Sequence, residues 1–114
     1  MKKQFRIKKS EEIEVVLKEK KVVSGIYFVL YRKENHENTH YRFALSVPKK
    51  FGNAVLRNKM KRRIRAIVRS NNLINGVDFF VIAKASSNTA TFNELKEELN
   101  YLLKKAQLLE ENNE

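Results

Sequence analysis

Cysteine is absent from this chain. That excludes disulfides and thiolate metal sites, and it fits a reducing compartment. Three glycines are spread over 114 residues, and none belongs to a Gly-rich phosphate loop. No apolar run approaches the ~20 residues of a membrane span. The lysine-bearing start lacks the apolar core of a signal peptide. The expectation is a cytoplasmic protein with no membrane partner. Acidic residues are missing altogether between Glu37 and Asp78. The catalytic inventory is equally thin. Nothing gathers the carboxylates that a two-metal nuclease needs. His36 and His40 could serve a nuclease or bridge a metal, but two surface histidines are the plainer reading. Asp78 reads as a turn partner rather than a ligand. By itself the chain offers no complete active site.

What is present is positive charge. The formal net charge is +11, with 42% hydrophobic and 32% charged residues. One domain spanning 1–114 with its own core is the expectation. The charge points to phosphate or anionic lipid as partner.

Gly52–Arg65, GNAVLRNKMKRRIR, is where that charge concentrates. Met60, Ile64, Ile67 and Val68 recur at helical spacing and predict one buried stripe. At ~100° per residue, Asn58, Lys61, Arg62, Arg65 and Arg69 gather on the other side. Ordinary solvated helix faces mix Glu with Lys at four-residue spacing. This face has no acidic partner, so nucleic-acid contact is preferred over a solvated ridge. Gly52 and Asn53 mark the turn that leads into it.

The rest reads as a scaffold. Residues 1–9 form a basic arm, with RNA contact and a solvated terminus as its two readings. Ser10 is the predicted N-cap of a short helix whose apolar face is Ile13, Val16 and Leu17. Val22 and Val23 suit a short strand. IYFVLYRK (26–33) is apolar on both faces and suits a central strand. Residues 40–47 alternate up to Pro48 and read as its antiparallel hairpin partner. Residues 78–84 predict another doubly buried strand. Thr91 and Glu94 have capping-box spacing ahead of a last helix with its stripe at Leu95, Leu99, Leu102, Leu103 and Ala106. Residues 110–114 should fray. The order αβββαβα makes an α/β (α+β) two-layer sandwich with a mixed sheet of about four strands.

The run SVPKKFGNAVLRNKMKRRIR also resembles the signature of the bacterial ribonuclease P protein component. The matching positions are Lys49, Lys50, Gly52 to Val55, Arg57, Asn58, Lys59, Lys61, Arg62 and Arg65. Element order, length and the FVLY strand (28–31) extend the resemblance over nearly the whole chain. It implies a fold like the second domain of small-subunit ribosomal protein five, with a left-handed crossover against the strong right-handed default. It implies a subunit that joins a catalytic RNA and assists removal of the 5′ leader from precursor tRNA. Mg²⁺, held mainly by the RNA, is the implied cofactor, and no protein partner is required. Arg57, Asn58, Lys59, Lys61, Arg62, Arg65 and Arg69 are then the RNA-binding residues. Phe5, Ile13, Leu17, Tyr31, Ser46, Lys49 and Lys50 fall to the leader cleft. Lys59 replaces the family's usual arginine and loses the bidentate fork. Ile13 and Leu17 replace phenylalanines, which leaves base stacking to Tyr31 or Phe5.

Three other readings compete. A structural RNA-binding protein of ribosomal type fits composition equally well, and only the motif order opposes it. A DNA-binding regulator would need a helix-turn-helix, whereas strands flank this helix. An autonomous endonuclease would need the two histidines.

Overall fold

The protein, seen as a computed structural model, is described over residues 3–110. The first two residues of the basic arm and residues 111–114 of the expected fraying tail lie outside that range. The elements are α1 (Ser10–Lys18), β1 (Lys21–Ser24), β2 (Phe28–Glu34), β3 (Arg42–Ser46), α2 (Ala54–Arg69), β4 (Val77–Ala83) and α3 (Phe92–Lys105). They form one mixed four-stranded sheet and three α-helices in the predicted order.

The sheet order is β1-β2-β4-β3. β2 and β4, the two strands apolar on both faces, are the central pair and run antiparallel. Here the predicted hairpin fails. β2 and β3 are not neighbours: β4 lies between them, antiparallel to β2 and parallel to β3. The hairpin partner of β2 is β1, across the turn at Gly25. Residues 35–41 instead pass the start of β4, where the Asn35 amide donates to the Gly76 carbonyl at 2.8 Å. Alternation specifies which side chains face which way but not which strand lies alongside. β2 is apolar on both faces and takes a neighbour on each edge, and β4 is the most buried strand available. Parallel β3 and β4 require a long connection, and α2 supplies it.

The two sheet faces are unequal. On one, Phe28, Leu30, Phe43, Phe79 and Val81 pack under the stripes of α2 and α3 as the main core. Phe43 and Phe79 stack there at 5.3 Å between centroids. On the other, α1 covers a smaller cluster of Ile7, Val16 and Phe80, with Ile13, Tyr31, Ala44 and Ile82 against it.

The capping box predicted at α3 forms, the cap predicted at α1 does not, and α2 gains a cap from a residue the sequence marked only as a turn. Asn53 caps α2 by accepting the Leu56 amide at 2.9 Å. Thr91 and Glu94 close the capping box of α3 at 3.2 and 2.9 Å. Hydrogen bonding from the Thr91 backbone amide, then from its side chain, holds the Glu94 carboxyl below the ordinary carboxylate range. Ser10 is not the cap of α1. It is the first helical residue, and Lys9 sits at the cap position with no side-chain bond. The Lys9 carbonyl already accepts the Glu12 and Ile13 amides. The start of α1 is left to Glu11 and Glu12 acting on the helix dipole.

One carboxylate of α3 closes the β1–β2 turn. Glu98 accepts the amides of Ile26, Tyr27 and Phe28 at 2.6, 2.7 and 3.0 Å. A Cβ on Gly25 would lie 2.5 Å from the Glu98 carboxyl carbon, so glycine is what lets the carboxylate approach. A hydrogen bond to a charged group contributes about 1.5–3 kcal/mol, less where the freed amide can meet water. Glu98→Ala should therefore destabilise the fold by about 2–4 kcal/mol, read as a lower midpoint in denaturant unfolding. A loss below about 0.5 kcal/mol would mean that the nest contributes little.

Candidate nucleic-acid interface

α2 is held by its apolar stripe. Met60, Ile64, Ile67 and Val68 are all buried, as their spacing predicts. That burial turns Asn58, Lys59, Arg62 and Arg69 to solvent, with Lys61 and Arg65 half-buried at the flanks. None of these side chains has a carboxylate within ion-pair distance among the described residues; every ion pair there belongs to Arg32, His36 or Arg42. Arg57 differs from the rest of the motif. It stands three residues before Met60 and seven before Ile64, at the edge of the buried stripe. Its Nε is buried with no hydrogen-bond partner. Arg63, not singled out by the sequence, lies over the Phe92 ring at 6.0 Å and braces α2 against α3.

At the C-terminal end of the ridge the like charges crowd. Burial, then the charges of Arg6 and Arg69, push the Arg65 guanidinium below its ordinary range. Arg6 comes from the N-terminal arm, which the sequence left undecided. A β-bridge to Phe43 and the Ile7 amide on the Phe43 carbonyl (3.0 Å) tie this part of the arm to the open edge of β3. The signal was there in Phe5 and Ile7, apolar residues interleaved with the arm's charges.

The second surface is the sheet face under α1. Register sets its rows: Tyr31 beside Phe80 beside Ala44, and Val29 beside Ile82 beside Ser46. Ile13 and Tyr31 are half-buried against the cluster, and Leu17 follows Ile13 by one helical turn. Val29, Ile82 and Ser46 are half-exposed, and Lys49 and Lys50 follow β3 in the chain. Both lysines are exposed on the 3₁₀ turn Lys49–Phe51. Phe5 is not in this cleft. It stacks on Tyr41 at 4.8 Å and meets the His40 ring edge-on at 5.4 Å. Tyr41 packs on the main-core side of the sheet, so Phe5 lies across β3 from Tyr31.

α1 is locked over this face by charge. Arg42 donates to both oxygens of Asp78 (3.1 and 2.8 Å) and to Glu12 (2.6 Å), while Asn35 also donates to Asp78 at 3.0 Å. Hydrogen bonding to Asp78 holds the Arg42 guanidinium above its ordinary range despite its burial. Asp78 is thus a buried ion-pair partner rather than a turn residue. The two histidines do not form a site. His36 meets Glu34 at 3.2 Å at the surface, and His40 meets the Gln4 carbonyl at 2.7 Å. Magnesium keeps several waters and takes one or two carboxylates, commonly alongside phosphate oxygens. Among the described residues no group of three or more carboxylates or histidines converges, and Glu12 and Asp78 are taken up by Arg42. No described helix is long and apolar enough to cross a membrane.

An α+β scaffold that displays a basic helix with no carboxylate partner among the described residues, beside a partly open sheet face, has the features of a nucleic-acid-binding protein. Comparison with known proteins makes this specific. The profile of the family described as Ribonuclease P matches residues 1–107, and the chain belongs to that family. A protein of Streptococcus pneumoniae described as ribonuclease P protein component is 41% identical over 115 residues, covering 99% of this chain and 93% of that protein. The RNase P protein of Staphylococcus aureus superposes with a TM-score of 0.85 at 36% identity, over 93% of this chain and 98% of that one. That of Thermotoga maritima gives 0.78 at 31%, over 88% and 96%. The chain is therefore a protein component of ribonuclease P, the holoenzyme of tRNA 5′ processing.

Removing one member of a buried ion pair strands the other and costs about 3–5 kcal/mol. Arg42→Ala should destabilise the protein by that order in denaturant titration. A loss under about 1 kcal/mol would mean that solvent reaches Asp78.

Proposed function

We propose that this chain joins the catalytic RNA of ribonuclease P through the α2 ridge. The same reading gives the cleft under α1 to the single-stranded leader of precursor tRNA, and places both events in the cytoplasm. The observation that carries it is the ridge itself. Lys59, Arg62 and Arg69 stand in solvent with no acidic partner among the described residues. Phosphates supply the missing counter-charge, and displaced counterions supply entropy. The chemistry belongs to the RNA and its magnesium ions. The protein adds positive charge for assembly and a half-apolar groove for leader bases. The histidine arrangement favours this over an autonomous endonuclease, since His36 and His40 serve separate local contacts.

The tests separate the two surfaces. Arg62→Ala should weaken binding to the catalytic RNA with the fold intact by circular dichroism. It should also flatten the slope of log affinity against log salt by about 0.7–0.9. Unchanged affinity and slope would make the ridge a solvated face. Tyr31→Ala should weaken leader-bearing precursor tRNA by about 1–3 kcal/mol, the worth of one stacked base, and mature tRNA by much less. Equal losses for the two RNAs would remove the leader from this cleft.

A further inference from the structure

The ridge of α2 does not end as a simple row of charges. Arg65 and Arg69 are one helical turn apart and share a side. The arm brings a third guanidinium to them. Ile7 points into the small cluster under α1. Arg6 precedes it in the extended segment bridged to Phe43, so its side chain leaves by the opposite face, where α2 lies. The charges that act most on Arg65 are those of Arg6 and Arg69, and Arg69 also acts on Tyr41. Arg6 and Arg69 are exposed and Arg65 is half-buried. No carboxylate pairs with any of the three among the described residues. Beside them lies the aromatic group of Phe5, Tyr41 and His40. Guanidiniums gathered on one side of the protein repel one another unless an anion sits between them.

We infer that Arg6, Arg65 and Arg69 form one pocket that grips a single RNA phosphodiester, with Phe5 and Tyr41 as the apolar wall for the adjoining nucleotide. This rests on the reading of α2 as an RNA-binding helix and adds to it. The N-terminal arm becomes part of the interface, and the arm and helix hold one phosphate jointly rather than one each. RNA is favoured over an acidic peptide because the pocket continues the ridge of Arg62 and is walled by aromatic rings. Planar guanidiniums suit the tetrahedral phosphate because each offers a fork of donors.

Counting phosphates tests it. Binding to the catalytic ribonuclease P RNA would be followed across salt for Arg6→Ala, Arg65→Ala and the double variant, with Arg62→Ala alongside. Each single variant should lose about tenfold in affinity, as for loss of one charged hydrogen-bonding group. The double variant should flatten the salt slope by about 0.7–0.9, one phosphate's worth. Its affinity should lie within about threefold of the weaker single, since both act on one contact. Arg6→Lys should keep the wild-type slope while losing affinity, because it keeps charge and loses the fork. A slope change of about 1.4–1.8 in the double variant means two separate phosphates and overturns the pocket. So does wild-type binding by Arg6→Ala. If Arg62→Ala alone loses affinity, the pocket falls and the ridge stands. If Arg62→Ala also binds as wild type, the ridge falls with it.

Discussion

Burial of one apolar stripe holds together a surface that would otherwise push itself apart. Met60, Ile64, Ile67 and Val68 lock α2 into the main core. Opposite them the helix carries only positive charge, and its first turn has no acidic residue to favour its dipole. Like charges at four-residue spacing destabilise a helix. This one is therefore maintained by tertiary packing and by the Asn53 cap. The remaining layers serve that packing. The apolar sheet face of Phe28, Leu30, Phe43, Phe79 and Val81 floors the core shared by α2 and α3, and Arg63 over Phe92 ties the two helices together.

The acidic residues make sense in the same frame. Those with defined partners are set to structural tasks away from the ridge. Glu98 gathers three backbone amides, Glu94 caps α3, and Glu12 and Asp78 clamp Arg42. Each contact orders a turn, a helix end or the α1 lid. None neutralises α2. The protein thus keeps a net charge of +11 while localising its counter-charges in the scaffold. Attraction for a polyanion is left concentrated on one side.

Much of this was legible along the chain. The four buried positions of α2, the capping box at Thr91 and Glu94, and the near-complete burial of β4 are local patterns, and local patterns survive folding. The motif from Lys49 to Arg65 carried the family. What was not legible depends on partners distant in sequence. Alternation in Arg42–Ser46 is the same whether β2 or β4 lies alongside, so the hairpin was misassigned. Ser10 has cap chemistry, but the chain turns one residue earlier. Phe5 looked available for leader bases, yet Tyr41, 36 residues on, takes its face. Arg6 gained its place only because the arm bridges Phe43 at the sheet edge.

The central claim is a division of labour: the protein supplies charge and a groove, and RNA supplies the chemistry. The direct measurement is cleavage of precursor tRNA at limiting magnesium by the catalytic RNA alone, by scrupulously RNA-free protein, and by the two together. The account predicts cleavage at the mature 5′ end from the mixture, little from the RNA alone and none from the protein alone. Metal-dependent cleavage at that position by the protein alone, or equal rates with and without it, would contradict the account.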